Sequence, residues 1–267
     1  MTTLKLALWQ SVPDLGDEGR FCDALDAALG GTDADVLITP ELGWPGYGDA
    51  ERTRAMATGQ DGALIARVRN LAARHGRAIV LGYAEAADGT IYNSAICIDA
   101  SGQVLQNYRK QMRANDYERA CFEVGTEGPV IPLAGVPSAI LICYDVEFPE
   151  LVRRAARAGA LLVIVPTALG PKWRVASDVV VPARAYENGI FVAYCNHAAT
   201  PASHVFCGLS VVAGPDGRAV GRAGEMAEVL EVTIDLDQVA EIRQQLHFLR
   251  DLAAREGDQT RGGQPGL

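Results

Sequence analysis

Apolar positions along this chain recur with two rhythms, one of two residues and one of three to four. Leu4-Lys5-Leu6-Ala7-Leu8-Trp9 alternates only at its start and then turns solidly apolar, which predicts a mostly buried strand. A helical stretch at 20–29 stops at Gly30-Gly31. Val36-Leu37-Ile38 is a short buried strand running into Thr39-Pro40-Glu41. Over 61–75, Leu64, Ile65, Val68, Leu71 and Ala72 share one helical face, and Gly76 supplies the stop. Residues 78–81 predict another buried strand. The runs 91–98 and 104–108 flank Asp99-Ala100-Ser101-Gly102 and predict a hairpin.

The pattern then recurs. A strand at 138–142 precedes a helix at 150–158 with an arginine-rich exposed side. A strand at 161–165 ends at Pro166, a helix covers 178–187, and a strand covers 190–194. Residues 209–213 lead into the turn Gly214-Pro215-Asp216-Gly217. Ala34-Asp35-Val36-Leu37-Ile38-Thr39-Pro40 echoes Ala160-Leu161-Leu162-Val163-Ile164-Val165-Pro166, and the turn at Ser101-Gly102 echoes that at Asp216-Gly217. Two related strand–helix units follow, and hence an α/β fold of two sheets with helices outside. Residues 236–252 read as helical, whereas 257–267 are polar and glycine-rich with nothing to bury. The expected division is a domain over 1–252 and a flexible tail over 253–267.

Composition narrows the function. The chain has 267 residues, 49% of them hydrophobic, enough for one large domain with a substantial core. A formal net charge of −9 argues against nucleic acid or an anionic membrane as partner and leaves a small molecule. The six cysteines, at 22, 97, 121, 143, 195 and 207, form no Cys-x-x-Cys pair and show no zinc-type spacing to a histidine. With no secretory signal and no run able to cross a bilayer, a cytoplasmic setting is expected, with the cysteines as thiols.

Three residues stand where chemistry is placed. Cys143 follows the apolar run Ala139-Ile140-Leu141-Ile142 at a strand exit before a helix, the position of a nucleophile elbow, with backbone amides next to it for an oxyanion. Position alone favours a buried structural thiol. Glu41 ends a strand among proline, tryptophan and tyrosine, where lost solvation raises a carboxylate toward general-base range, although an exposed loop glutamate also fits. Lys110 closes the hairpin strand in Tyr108-Arg109-Lys110, where a cation stabilises a thiolate or oxyanion, and Arg109 is equally eligible. None of His75, His197, His204 and His247 sits in a recognisable catalytic context, and no glycine-rich phosphate loop is present.

Taken together and in order, these segments resemble the nitrilase superfamily of carbon–nitrogen hydrolases. They are Pro40-Glu41 with Gly46-Tyr47, then Tyr108-Arg109-Lys110, then Cys143-Tyr144-Asp145 with Phe148-Pro149-Glu150. Ile91-Tyr92-Asn93-Ser94, Ala183-Arg184-Ala185-Tyr186-Glu187-Asn188 and Gly214-Pro215-Asp216-Gly217 match as well, so the likeness spans residues 4–247. Within the superfamily the likeness is greatest to the aliphatic amidase, 5-aminopentanamidase and R-stereoselective amidase subgroup. The resemblance implies a four-layer α-β-β-α sandwich of two mixed sheets with an internal pseudo-repeat. It also implies a homodimer or larger homo-oligomer.

For activity it implies a Glu41–Lys110–Cys143 triad that hydrolyses a small aliphatic amide through a thioester, with neither metal nor organic cofactor. The Tyr144 backbone amide would share the oxyanion with Lys110. A second active-site acid is expected after the lysine. Glu118 fits its offsets and Asp116 is the rival. Gln111-Met112-Arg113 departs from the x-His-Leu that usually follows the lysine. Glu147 stands four residues after the nucleophile, where relatives that bind carboxylate substrates carry arginine. It either faces a cationic amine, pointing to an amino-substituted amide, or caps the following helix. A nitrilase or an N-carbamoyl amidohydrolase would use the same triad, and a catalytically idle family member would serve as a binding or assembly partner instead.

Overall fold

Alternation along the first strand decides what each of its faces meets. The computed structural model describes residues 2–13, 17–200 and 205–262. In β1 (Thr3–Gln10), Leu4, Leu6 and Leu8 point into one core and Trp9 into another. The same division holds for β2 (Val36–Ile38), where Val36 and Ile38 face one way and Leu37 the other, and for β3 (Ala78–Ala87), where Val80 opposes Ile79 and Leu81. The outer core is closed by α1 (Glu18–Gly30) and α3 (Ala63–His75) through Phe21, Leu25, Leu29, Leu64 and Val68. Asp17 caps α1 by accepting the Arg20 N–H, and Gly76, at φ 62°, ends α3 in the left-handed conformation glycine favours. A short α2 (Ala50–Met56) lies between them in sequence. The hairpin of β4 (Thr90–Ile98) and β5 (Val104–Arg109) completes that side.

The second half begins with α4 (Asp116–Cys121), β6 (Ile131–Leu133) and β7 (Val136–Ile140). A 3-10 turn over Cys143–Glu147 leads into α5 (Pro149–Arg157) and β8 (Leu162–Pro166). A π turn over Ala176–Val180 opens α6 (Val181–Asn188), followed by β9 (Phe191–Cys195), β10 (Val211–Ala213) and β11 (Ala219–Arg222). The chain returns through β12 (Glu228–Asp235) to the first sheet and ends in α7 (Asp237–Gln245) and α8 (Phe248–Gly262).

Two six-stranded sheets result, ordered β12-β1-β2-β3-β4-β5 and β6-β7-β8-β9-β10-β11. Read in those orders, the neighbouring pairs run antiparallel, parallel, parallel, antiparallel, antiparallel in both. The echo between the segments around β2 and β8 is therefore topological: each is the central parallel strand of its sheet. The inner faces pack on each other, so Leu4, Leu6, Val36, Ile38 and Val80 share one buried cluster with strand residues of the second sheet. Truncating one of these, as in Leu6→Ala, costs about 3 kcal/mol.

Two expectations at the C-terminal end change. The helix anticipated over 236–252 is broken at Leu246, where the backbone leaves the helical region at φ −108° and ψ 107°. The tail anticipated from 253 is helical as far as Gly262, because Ala253-Ala254-Arg255-Glu256 are good helix formers, and Glu256 forms a bidentate pair with Arg157 at 2.6 and 3.0 Å. Residues 263–267 of that expected tail lie outside the described residues. No helix among the described residues is long and apolar enough to cross a membrane.

Candidate active site

The carboxyl ends of the parallel strands in both sheets open onto one place, where α/β folds put their ligands. Glu41 follows β2, Lys110 follows β5 and Cys143 follows β7. Gly82 in β3 lets the Glu41 segment lie flat on the sheet: a Cβ there would sit 2.3 Å from the Pro40 carbonyl oxygen and 3.1 Å from the Glu41 Cα. Cys143 opens the 3-10 turn at φ 47°, a left-handed conformation unusual for a non-glycine residue and typical of strained functional turns. Its side chain is almost wholly buried.

The ionic cluster is built around Lys110. Its ammonium, buried like Glu41 and Glu118, donates to Glu41 Oε1 at 2.6 Å and to Glu118 Oε1 at 2.8 Å. Asn93 Nδ2 donates to the same Glu41 oxygen at 2.7 Å, whereas Glu41 Oε2 is buried with no partner. An ammonium has three donors, so one is left for a substrate. Burial pushes the Glu41 carboxyl up to about 7, against the pull of Lys110 and with a further push from Glu118. Burial works against the charge on Lys110, but Glu41, Cys143, Glu118 and Asp145 outweigh it and hold the ammonium above the ordinary lysine range. Burial and then Glu41 raise the Cys143 thiol, with Lys110 opposing. The resting thiol is thus neutral and needs a base, and Glu41 offers a free oxygen tuned near neutrality.

Glu118 joins this cluster and Asp116 does not. Glu118 accepts from Lys110, from the Tyr47 hydroxyl at 2.6 Å and from the Ala114 N–H at 3.1 Å, while Asp116 faces solvent beside Arg119. The capping asparagine of α4, Asn115, accepts the Glu118 N–H and so turns that glutamate inward. Arg109 alternates to the other side of β5, where it forks onto buried Glu85 at 2.6 and 2.8 Å and lies 3.9 Å over the Tyr92 ring. Of the two cations left open by the sequence, Lys110 alone joins Glu41 and Glu118.

Asp145 binds the turn to the lysine segment. One of its oxygens accepts from the Ile142 N–H at 3.1 Å and the Tyr108 hydroxyl at 2.7 Å, the other from the Gln111 and Met112 N–H groups at 3.2 and 2.8 Å. Burial raises its carboxyl to about 6, so at neutral pH it remains the acceptor these donors require. The Tyr144 ring stands edge-on to Phe148 at 5.0 Å. Glu147 is half-buried, and among the described residues its carboxylate makes no hydrogen bond or ion pair. It does not cap α5, whose N-cap Phe148 has no side-chain bond. Asn93, Tyr47 and Asp145 were quoted in the sequence motifs without a role, and His197, which meets Glu41 from behind, carried no signal at all. Among the described residues no three His, Cys, Asp or Glu side chains gather so as to hold a metal ion.

This geometry has counterparts. Residues 7–244 match the carbon–nitrogen hydrolase family. The chain belongs to that family. It is thereby a hydrolase acting on carbon–nitrogen bonds. The chain is 39% identical over 253 residues to a Pseudomonas protegens protein named hydrolase in pqqF 5'region, covering 93% of this chain and 89% of that one. It is 34% identical over 249 residues to an (R)-stereoselective amidase of Pseudomonas sp., with 90% and 87% covered. Among solved structures, an amidase from Nesterenkonia sp. superposes with a TM-score of 0.81 at 35% identity, covering 91% of this hydrolase and 95% of that chain. Variants of that amidase, a member of the nitrilase superfamily, have been seen with butyramide and acrylamide, and with the acetamide moiety of fluoroacetamide joined to the active-site cysteine.

Proposed function

We propose that this hydrolase is an amidase that converts a small, amino-substituted aliphatic carboxamide into its acid and ammonia. The reading is carried by the buried Glu41–Lys110–Glu118 cluster against Cys143, in which Glu41 keeps one oxygen free of any bond. Glu41 Oε2 takes the thiol proton as the sulfur adds to the amide carbonyl. The third Lys110 N–H and the Tyr144 backbone amide receive the oxyanion. Glu41 passes its proton to the amide nitrogen, ammonia departs and a thioester remains. Water then loses a proton to Glu41 and attacks the thioester, the acid leaves, and the proton returns to sulfur. Glu118 acts through Lys110, holding the ammonium between the two carboxylates.

The amino group of the substrate follows from Glu147. Burial raises its carboxyl above the ordinary range, and its nearest cations are already engaged. Lys110 serves Glu41 and Glu118, and Arg184 donates to the Val146 and Glu147 carbonyls and to the Glu187 carboxylate. A substrate ammonium would supply the missing counter-charge. We also assign the protein a homo-oligomeric state and a cytoplasmic setting. Exposed Trp173, Val175, Val179, Tyr186 and Phe248 on and around α6 offer the apolar surface for the first, and six free, buried cysteines suit the second.

An ammonia-release screen over ω-amino amides, neutral amides, ω-carboxyl amides, carbamoyl compounds and nitriles tests this, with Cys143→Ala as the blank. Amino amides turning over fastest, and only with Cys143 present, is the expected result. Faster turnover of ω-carboxyl amides, or of nitriles, overturns it.

A further inference from the structure

His197 is a fully buried histidine that the acyl-transfer scheme leaves unused. It follows β9 in the second sheet, and its Nε2 lies 2.7 Å from the backbone carbonyl oxygen of Glu41. A carbonyl oxygen only accepts, so Nε2 carries a proton, and burial, which pushes the imidazole down to about 4, keeps the ring neutral. The ring is held on its other sides. It lies 4.9 Å from the Phe206 ring, and Asn196 Oδ1 accepts its backbone N–H at 2.9 Å and that of Leu169 at 2.7 Å. Nδ1 is buried with no hydrogen-bond partner. An apolar ring would avoid that unsatisfied nitrogen but would leave the buried Glu41 carbonyl without this donor, so the imidazole is kept for its contact with Glu41.

The opposite side of the same peptide is held too. The Glu41 N–H donates to the Thr167 carbonyl at 3.2 Å, and Thr167 stands directly after β8 as Glu41 stands after β2 and Pro40. Glu41 enters from the first sheet, yet both of its backbone polar groups are anchored by the second, the sheet that carries Cys143. The next residue, Leu42, sits at φ 47°, so the segment is not at rest by local preference. Lys110 and Asn93 grip only Oε1 of the side chain. The direction of the free Oε2 is then set by that grip and by the backbone from which the side chain leaves.

We infer that His197 is a positioning residue, whose imidazole N–H locks the Glu41 backbone so that the free carboxylate oxygen faces the Cys143 thiol. The inference rests on the proposed role of Glu41 as base.

The test compares His197→Phe, His197→Gln and His197→Asn, with kcat counted per alkylatable Cys143 and thermal unfolding followed alongside. Gln places its amide N–H as far from Cα as the imidazole Nε2, and Asn falls one bond short. The Phe and Asn variants should lose about 10- to 100-fold in kcat with KM nearly unchanged, the size of effect that a misplaced catalytic group produces. The Gln variant should recover to within about threefold, since it restores the same donor. Wild-type kcat in a folded Phe or Asn variant overturns the inference, as does equal loss in Gln and Asn. If Phe does not fold, the Gln–Asn comparison decides alone. Glu41→Gln run in parallel separates the two ideas: activity surviving that change sinks Glu41 as base, whereas its loss together with a fully active Asn variant sinks only the role of His197.

Discussion

Asp145 accepts the backbone N–H of Met112 at 2.8 Å, joining the turn that presents Cys143 to the segment that leaves Lys110. With Ile142, Gln111 and Tyr108 as its further donors, one carboxylate fixes nucleophile and lysine relative to each other. Asp145→Asn keeps the shape but replaces one acceptor oxygen with an NH2 group facing donors. We expect a loss of about 3 kcal/mol of stability in urea unfolding, the scale for breaking a buried charged hydrogen-bond set. A fall in kcat should accompany it. An unchanged urea midpoint would show that the four bonds do not act together.

The pH profile follows from the proposed role of Glu41 as base. A base must be unprotonated, and burial holds this carboxyl at about 7, so kcat/KM should fall tenfold per pH unit below about 7 and level off above it. The raised Lys110 ammonium and the raised thiol stay protonated through that range and add no basic limb near neutrality. Glu41→Gln should abolish the limb and cost about 10²- to 10⁴-fold in rate. Stability carries the same sign. A folded-state value above the unfolded one means that the native state binds the proton more tightly, so stability declines as pH rises from the ordinary carboxylate range through 7. The Glu41→Gln variant lacks that decline, and its melting temperature relative to wild type should be higher at pH 8 than at pH 5. A flat difference between the two pH values would show that Glu41 titrates alike in both states.

The fold was legible where apolar runs were long and the two halves could be compared. The likeness of Ala34–Pro40 to Ala160–Pro166 marks β2 and β8, and the repeated order of pairings gives that likeness its physical basis. The edge strand β12 was not seen, because Glu228, Val229, Glu231 and Thr233 leave it largely solvated and only Val232 and Ile234 are buried. The six residues of α4 are too few to show a helical period. Within the site, Glu41, Lys110, Cys143 and Glu118 were named from their motifs. The contacts of His197 with Glu41 and of Asp145 with Met112 join residues 156 and 33 positions apart, and no local pattern encodes them.

Alternation along β5 separates its two adjacent cations by function. Arg109→Met leaves Glu85 buried with polar donors but no cation, and should destabilise the protein by about 3 kcal/mol. Burial works to raise the Glu85 carboxyl, and Arg109 leads the donors that hold it below its ordinary range. The kcat of the folded Arg109→Met variant should stay near wild type. Lys110→Met instead removes the proposed oxyanion donor and leaves Glu41 and Glu118 without their shared cation, and should cost about 10²-fold or more in kcat. Chemical denaturation together with turnover per folded molecule checks both, and a folded Arg109→Met enzyme with kcat as low as that of Lys110→Met would refute the division.

Glu147 is the proposed selector of the substrate. Its carboxylate is half-buried without a partner among the described residues, and the helix behind it takes no cap from it. A charged hydrogen bond to a substrate ammonium contributes about 1.5–3 kcal/mol, so Glu147→Gln should lower kcat/KM for an ω-amino amide by roughly 10- to 100-fold. Butyramide, with no charge to pair, should change by less than about threefold, because the reacting groups are untouched. Glu147→Arg goes further: it repels the ammonium and offers a fork to a carboxylate, so ω-carboxyl amides should gain where amino amides lose. Parallel loss for charged and neutral amides in Glu147→Gln would mean that Glu147 supports the turn after Cys143 and does not select the substrate.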